Sequence, residues 1–187
     1  MRTPDDKSTL EADRRALTEY YAGDQAHPFV LDLRENYCIC DVFVRSPLDY
    51  MKVGFRALLM GAVRLIPLSS IKVFFYRLCG VRIGRDVYIA PGVFIDPLFP
   101  WLIELEDGCL LGMGCRLFTH EYTATNFRIG RVRVGKGSVV GAYATVRSGV
   151  TIGSKVTVGF NSYVNKDVPD GATVGGVPAK ILRRIGC

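Results

Sequence analysis

His120 is the residue of this chain best suited to proton chemistry. The 187 residues include only two histidines, and the other, His27, sits directly before Pro28 in a region without any repeat signal. Imidazole titrates close to neutral pH, so a histidine can take a proton from an attacking hydroxyl or amine and give it up again. His120 stands in the run FTHEYTATNFRIGR and is followed at once by Glu121. That carboxylate could orient or charge-stabilise a histidine, its own or a neighbouring subunit's. Adjacent residues on a strand point opposite ways, however, so an exposed carboxylate is the competing reading. The cationic side of the chemistry lies further on. From Arg128 to the end there are ten Lys and Arg against Asp167 and Asp170, whereas residues 1 to 80 hold eleven basic and ten acidic side chains. The C-terminal half is therefore the expected host of an anion.

Six cysteines (Cys38, Cys40, Cys79, Cys109, Cys115 and Cys187) are expected as free thiols, since MRTPDDKSTLEADRR at the N-terminus contains no apolar signal segment. Cys38-Ile39-Cys40 is not a metal-ligand spacing, and no metal is expected. A hydrophobic fraction of 49% with 22% charged residues describes a soluble globular protein. No apolar run approaches the about 18 residues that a membrane span needs. The expected location is cytoplasmic. Charge alone would suggest nucleic acid, and without a recognised module none is expected as partner.

The elements that must hold His120 follow from a period of six. From Val134 the chain reads VGKGSV, VGAYAT, VRSGVT, IGSKVT, VGFNSY, VNKDVP, so that Val134, Val140, Val146, Ile152, Val158 and Val164 recur in register. Gly135, Gly141, Gly153 and Gly159 follow four of them, as expected of turns that a Cβ would resist. A fixed six-residue period points to a parallel β-helix in which three hexads close one triangular coil. Val134 should then stack on Ile152, Val140 on Val158 and Val146 on Val164, about 4.8 Å apart. The count extends back through Ile83, Ile89, Ile95, Leu105, Leu111 and Leu117. About four residues are in excess near 97–102, and eleven near 119–131, where His120 lies. Insertions at solenoid corners are where function tends to sit.

Outside the repeats, residues 8 to 22 read as an amphipathic helix with Ser8 and Glu11 as a capping box. A short strand is expected at 37–44. Residues 50 to 79 read as two helices broken at Pro67, the second capped by Ser69 or Ser70 and ended by Gly80. Lys52, Arg56 and Arg64 fall within about 120° on the first helix, which makes it basic and amphipathic. Two readings stand open for residues 50–79: peripheral contact with a membrane surface, or a cover for the open end or flank of the solenoid. The expected fold is mainly β. It comprises an N-terminal helical and mixed extension (1–80), the β-helix (81–178) and a short, basic, helical C-terminal tail (179–187).

The hexads, with GGVPAK at Gly175 to Lys180 as the exit, resemble the hexapeptide-repeat acyltransferases over roughly residues 72 to 184. The resemblance implies a left-handed coil and a homotrimer with sites shared between neighbours. It also implies acetyl transfer from acetyl-CoA to a hydroxyl of a sugar or glycan precursor, with His120 as general base. Cofactor contacts carry over to Gly141, Ala142, Gly159, Phe160, Asn165 and Lys166, with the Ala142 N–H steadying the oxyanion and Lys180, Arg183 and Arg184 holding phosphate. Acceptor contacts carry over to Asp96, with Tyr88 and Trp101 as aromatic faces; packing of the insertion is the other reading of Trp101. Two positions depart from the family pattern: Phe160 stands where alanine or serine is common, and Val139 where an aromatic is common. The alternatives are N-acetyl transfer to an amino sugar and a non-catalytic trimeric scaffold. The zinc carbonic anhydrases that share this solenoid need three histidine ligands, which His27 and His120 supply poorly.

Overall fold

A computed structural model describes residues 4–23, 27–32, 46–123 and 126–184. The strand expected at 37–44, with Cys38, Cys40 and Cys187, lies outside these residues. Two-residue strands dominate from Arg82 onward and stack into the three walls of a parallel coil. The first wall is β2 (Arg82–Ile83), β5 (Ile103–Leu105), β10 (Val132–Val134) and β13 (Thr151–Ile152). The second is β3 (Tyr88–Ile89), β6 (Leu110–Leu111), β11 (Val139–Val140), β14 (Thr157–Val158) and β16 (Ala172–Gly175). The third is β4 (Phe94–Ile95), β7 (Arg116–Leu117), β12 (Thr145–Val146) and β15 (Tyr163–Val164).

The register is the one that the period dictates. Val134 pairs with Ile152, Val140 with Val158 and Val146 with Val164. The ladders continue back through Leu105 to Ile83, Leu111 to Ile89 and Leu117 to Ile95, so both insertions leave the stacking intact. The stacked aliphatics are buried, with Cys109 and Cys115 among them as free thiols. Burial pushes their pKa values up to about 11 and about 12, leaving both inert as nucleophiles.

The glycines after the aliphatic residues act differently from the expectation. None of Gly135, Gly141, Gly153 and Gly159 has a positive φ; the left-handed residues sit two places later, at Gly137, Tyr143, Lys155 and Asn161. What Gly135 and Gly141 provide is close approach between coils. A Cβ on Gly141 would lie 2.6 Å from the Val158 carbonyl oxygen, and one on Gly135 would lie 2.5 Å from the Gly153 carbonyl carbon.

Two helices close the N-terminal end of the coil, α2 (Pro47–Val63) and α3 (Ser69–Leu78). Ser46 and Asp49 form a capping box on α2. The expected serine cap of α3 is absent. Leu68 occupies the cap position, and the Ser69 hydroxyl instead accepts the Ile89 N–H at 2.8 Å, fastening the helix to the first coil. Met60, Val63 and Tyr76 join the core against Val81, Val87, Ile89 and Val93. The covering role is thus realised on their inner side. The basic face expected of α2 is divided, because Arg56 turns in to the carbonyls of Pro97 and Leu98 (2.7 and 2.8 Å), whereas Lys52 and Arg64 are exposed.

Helix α1 (Pro4–Ala22) begins earlier than expected, which places Ser8 inside it and removes the capping-box reading. Strand β1 (Phe29–Asp32) was not expected. It pairs antiparallel with β9 (Asn126–Ile129), which pairs with β8 (His120–Tyr122), so the excursion near 119–131 is a hairpin continued by the N-terminal segment. A second cluster of Leu17, Leu31, Phe99, Leu102, Phe127 and Ile129 lies beneath it. The tail is a strand, β17 (Lys180–Arg184), antiparallel to β16, and not a helix.

Candidate active site

His120 opens β8 at the corner where the third wall ends, and Asp96 occupies the same corner one coil earlier. His120 Nδ1 lies 2.5 Å from Asp96 Oδ2. The imidazole is one quarter exposed and the carboxylate is fully buried. The Thr119 N–H (3.0 Å) and hydroxyl (2.7 Å) also donate to Asp96 Oδ2, and the Leu98 N–H donates to Oδ1 (3.0 Å). Burial alone would raise the Asp96 carboxyl, but the bond from His120 and its charge when protonated, with the hydrogen bonds from Thr119 and Leu98, outweigh it and hold the group below the usual carboxylate range. An ionised carboxylate can only accept, so Nδ1 carries a hydrogen, and in the neutral imidazole Nε2 is the nitrogen with the lone pair. Among the described residues nothing bonds Nε2. The rings of Phe99 and Phe127, each centred 5.8 Å from the imidazole, hold its plane.

Asp96 was expected to meet the acceptor. With no exposed surface and both oxygens engaged by its own chain, it instead fixes the tautomer and orientation of His120. The signal that could have linked the two is the repeat itself, since Asp96 follows Ile95 and Phe118 follows Leu117 at stacked positions. Glu121 turns away from His120, as alternation on a strand requires. It accepts from Arg147 Nε (2.8 and 2.9 Å) and from the Ser148 hydroxyl (2.9 Å), tying the hairpin to the next coil. Burial raises its carboxyl, and these donors more than reverse that.

Tyr88 faces outward from the second wall and is about half exposed. Trp101 packs inside the excursion, with Tyr21 and Phe99 rings at 6.0 and 5.8 Å and the Arg56 guanidinium 5.1 Å from its centre. Trp101 thus packs within the excursion while staying partly exposed.

The residues expected to hold the cofactor fall in two rows. Gly141, Ala142, Gly159 and Phe160 share the corner after the second wall, where the Ala142 and Phe160 N–H groups have no acceptor among the described residues. Phe160 is 77% exposed, so its ring blocks nothing within this chain. Asn165 and Lys166 stand at the His120 corner, one coil beyond Arg147. The width of the third wall separates the rows within one chain. Lys180 pairs with Gly175, next to the glycine row, while Arg183 and Arg184 pair with Thr173 and Ala172 towards the other end of β16. The single face on which a helical tail would gather Lys180 with Arg183 or Arg184 therefore does not exist. Among the described residues no cluster of three or more metal-ligating side chains occurs.

Comparison with known proteins agrees with this geometry. The family described as "Bacterial transferase hexapeptide (six repeats)" matches residues 131–166. YvoF of Bacillus subtilis, provisionally assigned as an acetyltransferase, is 32% identical over 140 residues, covering 74% of this chain and 81% of YvoF. WcaF of Escherichia coli, provisionally assigned as a colanic acid biosynthesis acetyltransferase, is 28% identical over 136 residues, covering 60% of this chain and 74% of WcaF. A hexapeptide-repeat acetyltransferase of Vibrio cholerae, solved with acetyl coenzyme A, superposes with a TM-score of 0.61 at 22% identity over 76% of this chain and 91% of that one. A maltose O-acetyltransferase of Clostridium difficile gives 0.62 at 16% identity over 78% and 92%. These neighbours share the left-handed parallel β-helix. By its repeats, its coil and its identity to YvoF, the chain belongs to the hexapeptide-repeat acetyltransferase family.

Proposed function

We propose that the protein transfers an acetyl group from acetyl-CoA to a hydroxyl of a sugar or glycan precursor, with His120 as general base and Asp96 as its positioning residue. The observation that carries the reading is the buried, ionised Asp96 on Nδ1 of His120, which leaves Nε2 as a proton acceptor at the surface. In this mechanism the acceptor O–H gives its proton to Nε2 as the oxygen attacks the thioester carbonyl. Asp96 stabilises the imidazolium that forms. The C–S bond then breaks, the proton passes from Nε2 to the leaving thiolate, and an acetyl ester and free CoA result. The unpaired Ala142 N–H is the donor assigned to the developing oxyanion.

The proposed assembly is a homotrimer. The His120 corner and the glycine corner are a wall apart within one chain, so a neighbouring chain is needed to face one row with the other. A glycan acceptor is favoured by the similarity to WcaF and to the maltose enzyme.

The test is an acceptor panel with acetyl-CoA, read as release of CoA thiol. Hydroxylamine treatment then distinguishes ester from amide products. Thiol release with a hydroxylamine-labile acetyl group is expected. A stable amide would replace the hydroxyl acceptor with an amine, and no release with any acceptor would favour a scaffold.

A further inference from the structure

Helices α2 and α3 are apolar on both sides, yet only one side is covered. Their inner residues, Met60, Val63 and Tyr76, are buried against the first coil. On the outer side, Met51, Phe55 and Leu58 of α2 are 68%, 69% and 74% exposed, and Ile71, Phe74 and Leu78 of α3 are 37%, 59% and 67% exposed. Their spacings, i, i+4, i+7 and i, i+3, i+7, make each set one continuous helical stripe. Exposed apolar surface of this contiguity marks an interaction site. No helix among the described residues is long and apolar enough to cross a membrane, so contact would lie in the plane of a surface.

Charge decides between the occupants. From residue 47 to 78 there are five cations, Lys52, Arg56, Arg64, Lys72 and Arg77, and one acid, Asp49, which is engaged in the capping box of α2. Lys52 and Arg64 are exposed, and so is Arg77, although its guanidinium donates to the carbonyls of Ile83 and Gly84; Lys72 is buried and Arg56 turns inward. Pairing of this face with itself would set like charges against each other, whereas an anionic bilayer supplies apolar depth for the stripes and negative headgroups for the cations.

We infer that the outer face of α2 and α3 docks the protein on an anionic lipid surface. The same helix reaches the site, because Arg56 holds the carbonyls of Pro97 and Leu98, and the Leu98 N–H bonds Asp96. Docking therefore anchors the helix that is bonded to the loop beside the His120 corner.

Cosedimentation of the full chain with vesicles tests this without acetyl-CoA or acceptor, so its result is independent of the acetyl-transfer reading. The protein should pellet with phosphatidylcholine vesicles containing phosphatidylglycerol, much less with phosphatidylcholine alone, and less as salt rises. Phe55→Ser combined with Leu58→Ser should lower the partition about tenfold or more. These side chains are exposed, so circular dichroism and particle mass should match the wild type. Wild-type protein that stays in the supernatant with both vesicle types overturns the inference, as does a double variant that binds undiminished. A double variant that changes particle mass would assign the face to contact between copies of the chain instead.

Discussion

The buried carboxylate of Asp96 receives both Nδ1 of His120, at 2.5 Å, and the hydroxyl of Thr119, at 2.7 Å, on the same oxygen. A charged acceptor shared in this way holds the imidazole in one tautomer. Asp96→Asn replaces an obligate acceptor with an amide that can turn its NH2 towards Nδ1, and that arrangement moves the imidazole hydrogen to Nε2. Turnover should fall about a hundredfold or more, with the KM for acetyl-CoA nearly unchanged. A variant that keeps its turnover but loses donor affinity would show that Asp96 shapes the cofactor path and not the base.

His120→Ala removes the proposed proton acceptor itself. Single-turnover rates should drop by about a hundredfold or more. The ring is one quarter exposed and sits at a strand end, so CoA binding by titration calorimetry should persist. Near-normal turnover would require another base.

The coil was legible because a six-residue period leaves little freedom: once Val134, Val140 and Val146 point inward, Ile152, Val158 and Val164 must stack on them. The position of His120 in an excursion was legible for the same reason. Its partner was harder to read, because Asp96 and His120 meet only after four extra residues are looped out between Ile95 and Leu105. The N-terminal strand Phe29–Asp32 was missed because its pairing depends on the hairpin at 120–129, which carries no repeat. The tail was expected to be helical. Val174 and Gly175, an open strand at the end of the coil, win that competition by pairing with Ile181 and Lys180.

A strand in place of a helix separates the roles of the tail cations. Lys180 lies beside Gly175 at the end of the glycine row, whereas Arg183 lies opposite Thr173. If the row carries the pantetheine and phosphates, Lys180→Ala should weaken CoA about tenfold or more, the equivalent of a charge-assisted contact of roughly 1.5 to 3 kcal/mol. Arg183→Ala should have a smaller effect. Titration of both variants with CoA and dephospho-CoA checks this, and a larger loss in the Arg183 variant would place the phosphate further along β17.

Glu121 provides a pH signature that distinguishes support of the hairpin from catalysis. Burial would raise its carboxyl, but bonds from Arg147 and Ser148 and the nearby charge hold the folded-state pKa below its ordinary value. An unfolded glutamate, near about 4.3, therefore binds more protons than the folded one in the acid range. The stabilisation is fully present above the unfolded value and is lost as pH falls through the folded one. Glu121→Gln should cost roughly 1 to 3 kcal/mol at neutral pH. The gap between wild type and variant should persist down to about pH 4.3 and close only in stronger acid. Asp96 is also depressed but is present in both proteins, so its contribution cancels in the difference. Because Glu121 makes no bond to His120, turnover at neutral pH should stay within about threefold of wild type, well short of the loss that removing a general base produces. Denaturant melts across pH, run alongside turnover, decide the point. A gap that closes above about pH 4.3 would mean the folded carboxyl is not depressed, and a loss of turnover without loss of stability would return Glu121 to the catalytic site.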